Sequence, residues 1–418
     1  MTQQRSKAVD VAFDAVAEGF EDLQIMSENV TNVPVEAVAG ERNSQTFWRP
    51  MPYINQTQDG LDQTGNFKGA VERAVPAQVN KHKSVPFLFS GTEMNDPDTL
   101  KRLTISAKDA LASKIENDII DIACNQATLV VPVQGSLSGF DDVALCDSIM
   151  NEQEVSNAHR KLALNTRDYN LMAGNLASRQ LDNSITSEAY RNASLGSVSS
   201  FDTFKMQTTS TLAAAVGTNV TINGANQYYV PKSQDTDGNN LDARYQTITI
   251  TVGGGTVAVG DAFTIAGVNS VGHKSKRDSG QPKTFRIHEI VTGAGGSGTV
   301  KISPPIISAA GGSDGEVQYK NVTATPAHSA ALTFLNIASK QVNPFWTKGS
   351  IELLAGKLPM LDGTGAEFRS YTTKSGITIA MSNQFDNGSR GTTVRFDVFY
   401  NPVVVQPEMV GILVGNQT

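Results

Sequence analysis

PDTLKRLTISAKDALASKIENDIIDIACNQATL, residues 97–129, is the stretch on which the fold turns. Leu103, Ala107, Leu111, Ile115, Ile119 and Ile122 recur at spacings of four and three, the period of a helix with one apolar face. Asn95 or Asp96 supplies an N-cap, Pro97 suits the first helical position, and Asp98 complements the positive end of the helix dipole. Pro132 and Gly135 stop the pattern. At about 1.5 Å per residue, roughly 32 residues span on the order of 48 Å. The spacing therefore predicts a single long helix acting as the spine of an extended domain.

Toward the N-terminus, Val9, Phe13, Val16, Phe20 and Leu23 predict an amphipathic helix over 5–24, with Asp10, Asp14, Glu18 and Glu21 on an adjacent stripe. Residues 1–40 hold seven acids against Arg5 and Lys7, so this arm is acidic, either as a solvated face or as a docking surface for a basic partner. Residues 41–95 lack helical periodicity and are rich in Gln, Asn, Gly and Pro. They read as an irregular surface region or as an extended two-stranded excursion that lies on a neighbouring molecule.

Beyond the spine, Asp141–Val155 reads as helix, Lys161–Leu164 as strand and Thr166–Gln180 as helix. Residues 207–330 change character: Thr, Val, Gly and Ser dominate, with turn signals about every ten residues. Thr247–Val252, Ala262–Ala266, Phe285–Val291 and Val300–Ile302 are predicted strands, the pattern of a small β-barrel or sandwich inserted into an α+β host. In the last ninety residues Val394, Phe396, Val398 and Tyr400 alternate with Thr393, Arg395 and Asp397, as in a strand covered on one face.

A chain of 418 residues exceeds one ordinary compact domain. Charged residues make up only 18%, fewer than an average soluble domain carries, which points to surface covered by other subunits. The net charge of −7 offers no basic field for gripping nucleic acid. Cys124 and Cys146 have neither CxxC nor zinc-ligand spacing and read as free buried thiols of a reducing compartment. No signal-like segment opens the chain and no run approaches 18 apolar residues, so the reading is of a soluble chain made in the cytosol, without a membrane partner.

No catalytic or metal constellation emerges. The five histidines are dispersed, outside any HExxH, and no GxSxG elbow is present. Gly293–Gly298 resembles a phosphate loop, but Thr299 and Val300 precede Lys301 and Pro304-Pro305 forbids the helix that such a loop must open, so a hairpin turn is predicted. Asp235, Asp237 and Asn239 mimic an EF-hand start, yet the sixth and twelfth positions are Asn240 and Gln246 instead of Gly and Glu. What remains is an acidic loop, read as a hairpin tip or an electrostatic contact. No cofactor, metal or catalytic residue is assigned.

Several stretches, in order along nearly the whole chain, resemble the P22-type coat proteins of tailed bacteriophages, a branch of the HK97-fold capsid family. They are Asn43–Pro50, Asn165–Tyr169, Glu188–Arg191 with Phe201-Asp202, Asp235–Arg244, Gly260–Val268, Asn343–Trp346 and Pro407–Gly411. Thr166 stands where the family usually has Pro, and Ser200 where it has Gly. The resemblance implies an α+β, HK97-like capsid fold. Its parts would be an N-terminal arm (1–45), an extended loop (46–94), the spine helix and peripheral domain (95–140), an axial domain begun at 141–224, an inserted β-barrel (225–340), and a return to the axial and peripheral domains (341–418).

It further implies a non-enzymatic major capsid protein assembling as hexamers and pentamers of an icosahedral head around double-stranded DNA. Its partners would be copies of itself, a scaffolding protein, a portal protein and, in some heads, a decoration protein; it would pass from host cytoplasm into the virion. Asp14 and Glu18 are the expected scaffold contacts, Asp14 matching an acidic position of the family's arm. Asp235, Asp237, Asp242 and Arg244, and separately Lys81, His82 and Lys83, are the expected inter-subunit contacts. The competing class is a structural component of a phage tail or adhesin, which shares the β-rich second half but has no need of a spine helix behind an acidic arm.

Overall fold

The computed structural model describes residues 13–14, 20, 23–34, 46–55, 57, 59–64, 67, 69–90, 97–178, 195–357, 366–373, 375–388 and 391–417. The chain divides into two units, one of residues 1–47, 77–120 and 352–403, the other of 48–76, 121–351 and 404–418. Asn95, Asp96, Glu18 and the Glu188–Arg191 stretch lie outside the described residues.

The first unit holds most of the long helix and one sheet. Helix α2 (Pro97–Gln126) forms as its spacing predicts, burying Ala107, Leu111, Ile115 and Ile119. It stops three residues earlier than predicted, because Leu129 opens a strand. The sheet runs β1 (Thr31–Pro34), β17 (Ile351–Ala355), β20 (Gly391–Val404), β19 (Thr378–Asp386), β18 (Glu367–Thr372), with β4 (Lys81–Ser90) also paired to β20. Within β20, Val394, Phe396, Val398 and Tyr400 are buried and Thr393 and Arg395 exposed, as the alternation requires. Asp397 departs from it: this carboxylate is buried because His82 and Arg395 both reach it.

Residues 81–90 also depart from the expected excursion. They pair antiparallel with β20 from Lys81↔Tyr400 to Ser90↔Gly391, so they belong to a sheet of their own chain. Within the stretch read as an extended excursion, the two-stranded piece is shorter: β2 (Phe47–Pro50) pairs with β3 (Ala74–Ala77). Ahead of β1 sits a five-residue helix, α1 (Ile25–Asn29).

The second unit contains two sheets. One has seven strands: β5 (Leu129–Pro132), β21 (Val410–Val414), β16 (Lys340–Thr347), β6 (Arg160–Asn165), β8 (Phe201–Met206) and β7 (Ser197–Val198) in that order, with β9 (Ser210–Leu212) along the start of β16. Helices α3 (Phe140–Glu152) and α4 (Thr166–Ser178), both predicted to within a few residues, bring Val143, Cys146, Met150, Tyr169 and Met172 onto Leu129, Leu162, Leu164, Phe345 and Leu413. Phe345 lies opposite Gly411 across the β16–β21 ladder, and a Cβ at 411 would overlap its ring. Glycine is thus required at that position by packing rather than by its backbone angles.

The other sheet is antiparallel and curled: β10 (Thr218–Ile222), β11 (Gln246–Gly254), β14 (Gly296–Ser303), β13 (Asp278–Thr292), β12 (Ala262–Val271) and β15 (Leu332–Phe334). All four strands predicted here are present, each longer than its apolar pattern. The ends of the sheet approach one another, since Thr221 bridges to Ala331 and the Ile222 N–H donates to the Ala330 carbonyl at 2.9 Å. Val220, Ile250, Phe263, Phe285, Val300 and Ile302 fill its interior. Gly293–Gly295 forms the β13–β14 turn and Gly296–Gly298 opens β14, with Gly293 at φ +60° and Gly296 at φ +70°. A short helix, α5 (Asp314–Tyr319), starts on a capping box between Ser313 and Glu316.

Candidate functional site

The residues singled out in the sequence fall into separate places. Asp235 builds its own turn: its Oδ1 accepts the N–H groups of Asp237 (2.8 Å) and Asn239 (2.9 Å), and these bonds hold its carboxyl below the usual range. The loop is an Asx-turned hairpin tip with Asp237 exposed.

Asp242 and Arg244 are not at the tip. Arg244 is buried, donating from Nε and NH2 to Asp242 (2.9 and 2.7 Å) and from NH1 to the Val404 carbonyl (3.0 Å). Both charges are engaged inside the chain, so of that set Asp237 is the fully exposed one, with Asp235 half-exposed at the turn it builds.

Lys81 and His82 are likewise engaged within the first unit. Lys81 lies 3.3 Å from Asp118, whose carboxylate also accepts the Tyr400 hydroxyl at 2.8 Å; His82 Nε2 is 3.0 Å from Asp397. Lys83 is half-buried opposite Val398. Asp14 is helical and exposed.

Glu116, on the long helix, was not singled out by its sequence. Its carboxylate accepts the N–H groups of Met26 (2.6 Å) and Ser27 (3.1 Å), fastening the start of α1. Burial pushes it up to about 7 despite those two donors. An acid raised in the folded state contributes stability that is complete below its unfolded value of 4.5 and lost as pH rises through 7. Between those limits the unfolding free energy of the wild type should fall with a slope of up to about 1.4 kcal/mol per pH unit from this group. Glu116→Gln should flatten that slope; an identical pH profile in urea titrations of the variant would show that Glu116 does not titrate there.

In the second unit, buried polar groups tie the sheets and helices together. Asn165 Oδ1 accepts the N–H groups of Arg167 and Asp168 (both 3.0 Å), so Asn165 caps α4. Asn343 Oδ1 accepts the Asn165 N–H at 2.7 Å, and Asn343 Nδ2 donates to Asp168 at 2.8 Å. Thr166 in place of Pro leaves this cap intact, the side-chain bonds coming from its neighbours. Asn165→Ala should cost about 1–2 kcal/mol, read as a lower denaturation midpoint with unchanged m-value; a loss below about 0.5 kcal/mol would mean the cap is redundant.

Arg160 is fully buried, its guanidinium donating to Asp147 (2.6 Å), Asn151 (2.8 Å) and the Val155 carbonyl (2.6 Å) at the end of α3. Arg286, also buried, reaches the Cys124 carbonyl in the last turn of α2 and donates to Gly260 O at 2.9 and 3.1 Å. The largest cluster centres on Glu408. Its Oε2 accepts Lys283 Nζ at 3.1 Å, its Oε1 accepts Asn321 Nδ2 at 3.2 Å, and His273 Nε2 lies 3.6 Å away.

Lys283 is wholly buried and also donates to Gln153 Oε1 at 2.9 Å. Burial works against the Glu408 charge, but Lys283, His273 and Arg73 outweigh it and hold Glu408 down to about 2. Burial presses His273 down to about 4, so its ring is neutral at pH 7. Arg73 completes the group, its guanidinium 3.8 Å above the Tyr319 ring.

Among the described residues no three His, Cys, Asp or Glu side chains are placed to hold a metal, and no helix is long and apolar enough to cross a membrane. Cys124 and Cys146 are free and buried, and burial raises both thiols, Cys124 to about 12.

Comparison with known proteins gives the arrangement a context. A family model described as "P22 coat protein - gene protein 5" matches residues 1–415. Among solved structures, the I-domain of the CUS-3 coat protein is 43% identical, over 28% of this chain and 95% of that one, with a TM-score of 0.23. The structure from Mycobacterium phage Che8 covers 94% of this chain and 91% of its own at 10% identity and a TM-score of 0.44. The capsid of cyanophage P-SCSP1u covers 94% and 89% at 9% identity, with the same TM-score of 0.44.

Proposed function

This chain belongs to the P22 coat protein family, a family of structural capsid proteins and not of enzymes, and from that premise we propose that it is the major capsid subunit that assembles into the hexamers and pentamers of an icosahedral phage head around double-stranded DNA. The observation that carries this reading is a family match running from residue 1 to 415. The mixed α+β architecture agrees with it, and the net charge of −7 suits a wall that encloses DNA without binding its sequence.

In this reading the fold is HK97-like. Helix α2 is the spine, the ribbon β2–β3 with residues 51–73 between its strands is the extended loop, and the seven-stranded sheet with α3 and α4 is the axial domain. The curled six-stranded sheet is the inserted barrel. We take the insertion to begin near the first strand of that sheet, Thr218–Ile222. Asp14 and Glu18 of the acidic arm meet a basic segment of a scaffolding protein in the host cytoplasm. Portal and decoration proteins join the same shell.

Asp235 and Asp237 at the exposed tip make ion pairs with a neighbouring subunit, and Lys83 is the member of the Lys81–Lys83 group left to do the same. Exposed pairs contribute only about 0–1 kcal/mol each, but a shell repeats them many times. Asp237→Ala, which spares the turn bonds to Asp235, should leave the melting of the unassembled subunit unchanged and lower the yield of closed shells. Normal yield and shape would reduce the loop to decoration.

The test of the whole reading is negative-stain electron microscopy of the chain expressed with and without its scaffolding partner. Uniform closed shells with the scaffold, and aberrant ones without it, are expected. Small discrete oligomers under both conditions would overturn it in favour of a tail or adhesin component.

A further inference from the structure

The second unit exposes two apolar patches on different elements. One surrounds Asn336, a buried side chain that donates to the Ala213 carbonyl and to Asp261 Oδ1 (both 2.9 Å), while the Asn336 carbonyl accepts the Ala215 N–H at 2.8 Å. The three segments joined there turn outward Val216 (64% exposed), Val259 (63%) and Ile337 (57%). The other patch flanks the bond from Asn175 Nδ2 to Ser138 O (2.7 Å) between α3 and α4, where Phe140 is 53% and Leu171 51% exposed. Singly exposed apolar residues need no explanation, but groups gathered on neighbouring segments held together by hydrogen bonds do.

We propose that these patches are the two halves of one contact between copies of this chain, Val216, Val259 and Ile337 of one copy covering Phe140 and Leu171 of the next. The inference rests on the shell reading and names a contact within it. A ring of identical subunits cannot be built from a self-complementary patch, which ends at a dimer; it needs two unlike surfaces on each subunit. These two patches are unlike, and their rims differ in charge. Lys340 is exposed three residues from Ile337, and Asp141 is exposed beside Phe140; Arg167, a turn before Leu171, is the exception. Opposite rims favour pairing of unlike patches over like ones.

The experiment uses the full chain with its scaffolding partner and compares wild type, Ile337→Lys, Leu171→Asp and the combined variant. Both substituted positions are at the surface, so the unassembled subunits should melt as wild type does. Each single variant should cut shell yield about tenfold or more, the effect of a charge desolvated at the centre of a contact. The combined variant should recover most of it, because the two introduced charges then face each other. Normal shells from either single variant, or a combined variant no better than the poorer single one, overturns the contact while wild-type shells keep the coat reading intact. Absence of shells from the wild type under every condition would instead overturn the coat reading, and this contact with it.

Discussion

Lys283→Met is expected to lower the unfolding free energy of the unassembled subunit by about 3–5 kcal/mol, the typical result of removing one partner of a buried ion pair. The size follows from what is left behind. Glu408 has 14% of its side chain exposed and takes its one hydrogen-bonded cation from Lys283, which is itself fully buried. Without Lys283, the carboxylate keeps only Asn321 as a donor, with Arg73 acting at a distance, and Gln153 Oε1 loses its partner. Most of the loss is therefore the desolvation of groups that can no longer be satisfied.

A second variant separates that cost from the net value of the pair. Lys283→Met combined with Glu408→Gln should recover more than half of the loss, since a buried pair replaced as a whole is often nearly neutral. If Lys283→Met alone stays within about 1 kcal/mol of wild type in urea titrations, water reaches the cluster and the buried-pair account is wrong.

The same cluster contributes to the acid sensitivity of the second unit. His273 is depressed to about 4 and Glu408 to about 2, each by a neighbourhood that favours the form present at pH 7. Depressed groups contribute stability that is present above their unfolded values and lost as pH falls through the folded ones. The loss from His273 therefore begins below 6.5 and that from Glu408 below 4.5, ending near 4 and 2. Glu116 in the first unit has the opposite sign, so mild acid should loosen the second unit while it favours the first.

Much of the scaffold was legible from periodicity. The spine helix, α3, α4 and the strands of the curled sheet follow from apolar residues at spacings of three and four, or of two, because burial on one face is the term those patterns encode. Residues 81–90 were misassigned since Pro86 and the polar Lys81, His82 and Ser84 weaken the alternation, although Val85, Phe87 and Phe89 carry it. Nothing local in the sequence marks which side of β20 they join.

The buried charges were the least legible. A low charge content of 18% was read as covered surface, whereas Arg160, Arg244, Arg286 and Lys283 lie inside the fold. Their partners are 13 residues away at Asp147, 2 at Asp242, 162 at Cys124 and 125 at Glu408. Only the second of these spacings could have been noticed in the linear chain, and there Asp242 and Arg244 were assigned to a neighbouring subunit. For Glu408 the available signal was its place in Pro407–Gly411, a stretch noticed for resemblance and not for charge.

Arg286→Met should be the other large loss, about 3–5 kcal/mol, for a different physical reason. The helix of Pro97–Gln126 ends in carbonyls that have no partner within the helix. No basic residue occupies its last turn, so the chain does not supply a local cation to complement the negative end of its dipole. Arg286 performs that task from strand β13, reaching the Cys124 carbonyl with one arm while two of its nitrogens hold Gly260 O. A methionine matches the aliphatic stem but leaves those carbonyls buried without donors and removes the cation beside Asp261, which burial already raises.

Arg286→Lys tests the geometry separately from the charge. A single ammonium cannot address the helix end and Gly260 in the fixed fork of a guanidinium, so it should recover less than half of the loss. Hydrogen exchange locates the effect: amides in the last turn of the helix and in β13 should lose protection together, because one side chain joins them. If Arg286→Met weakens β13 alone and leaves the helix end protected, water satisfies the Cys124 carbonyl and the helix is not anchored through this residue. Joint loss would make the curled sheet the anchor of the long helix's C-terminal end, so that assembly defects caused by substitutions in that sheet could arise from the spine and not only from contacts on its own surface.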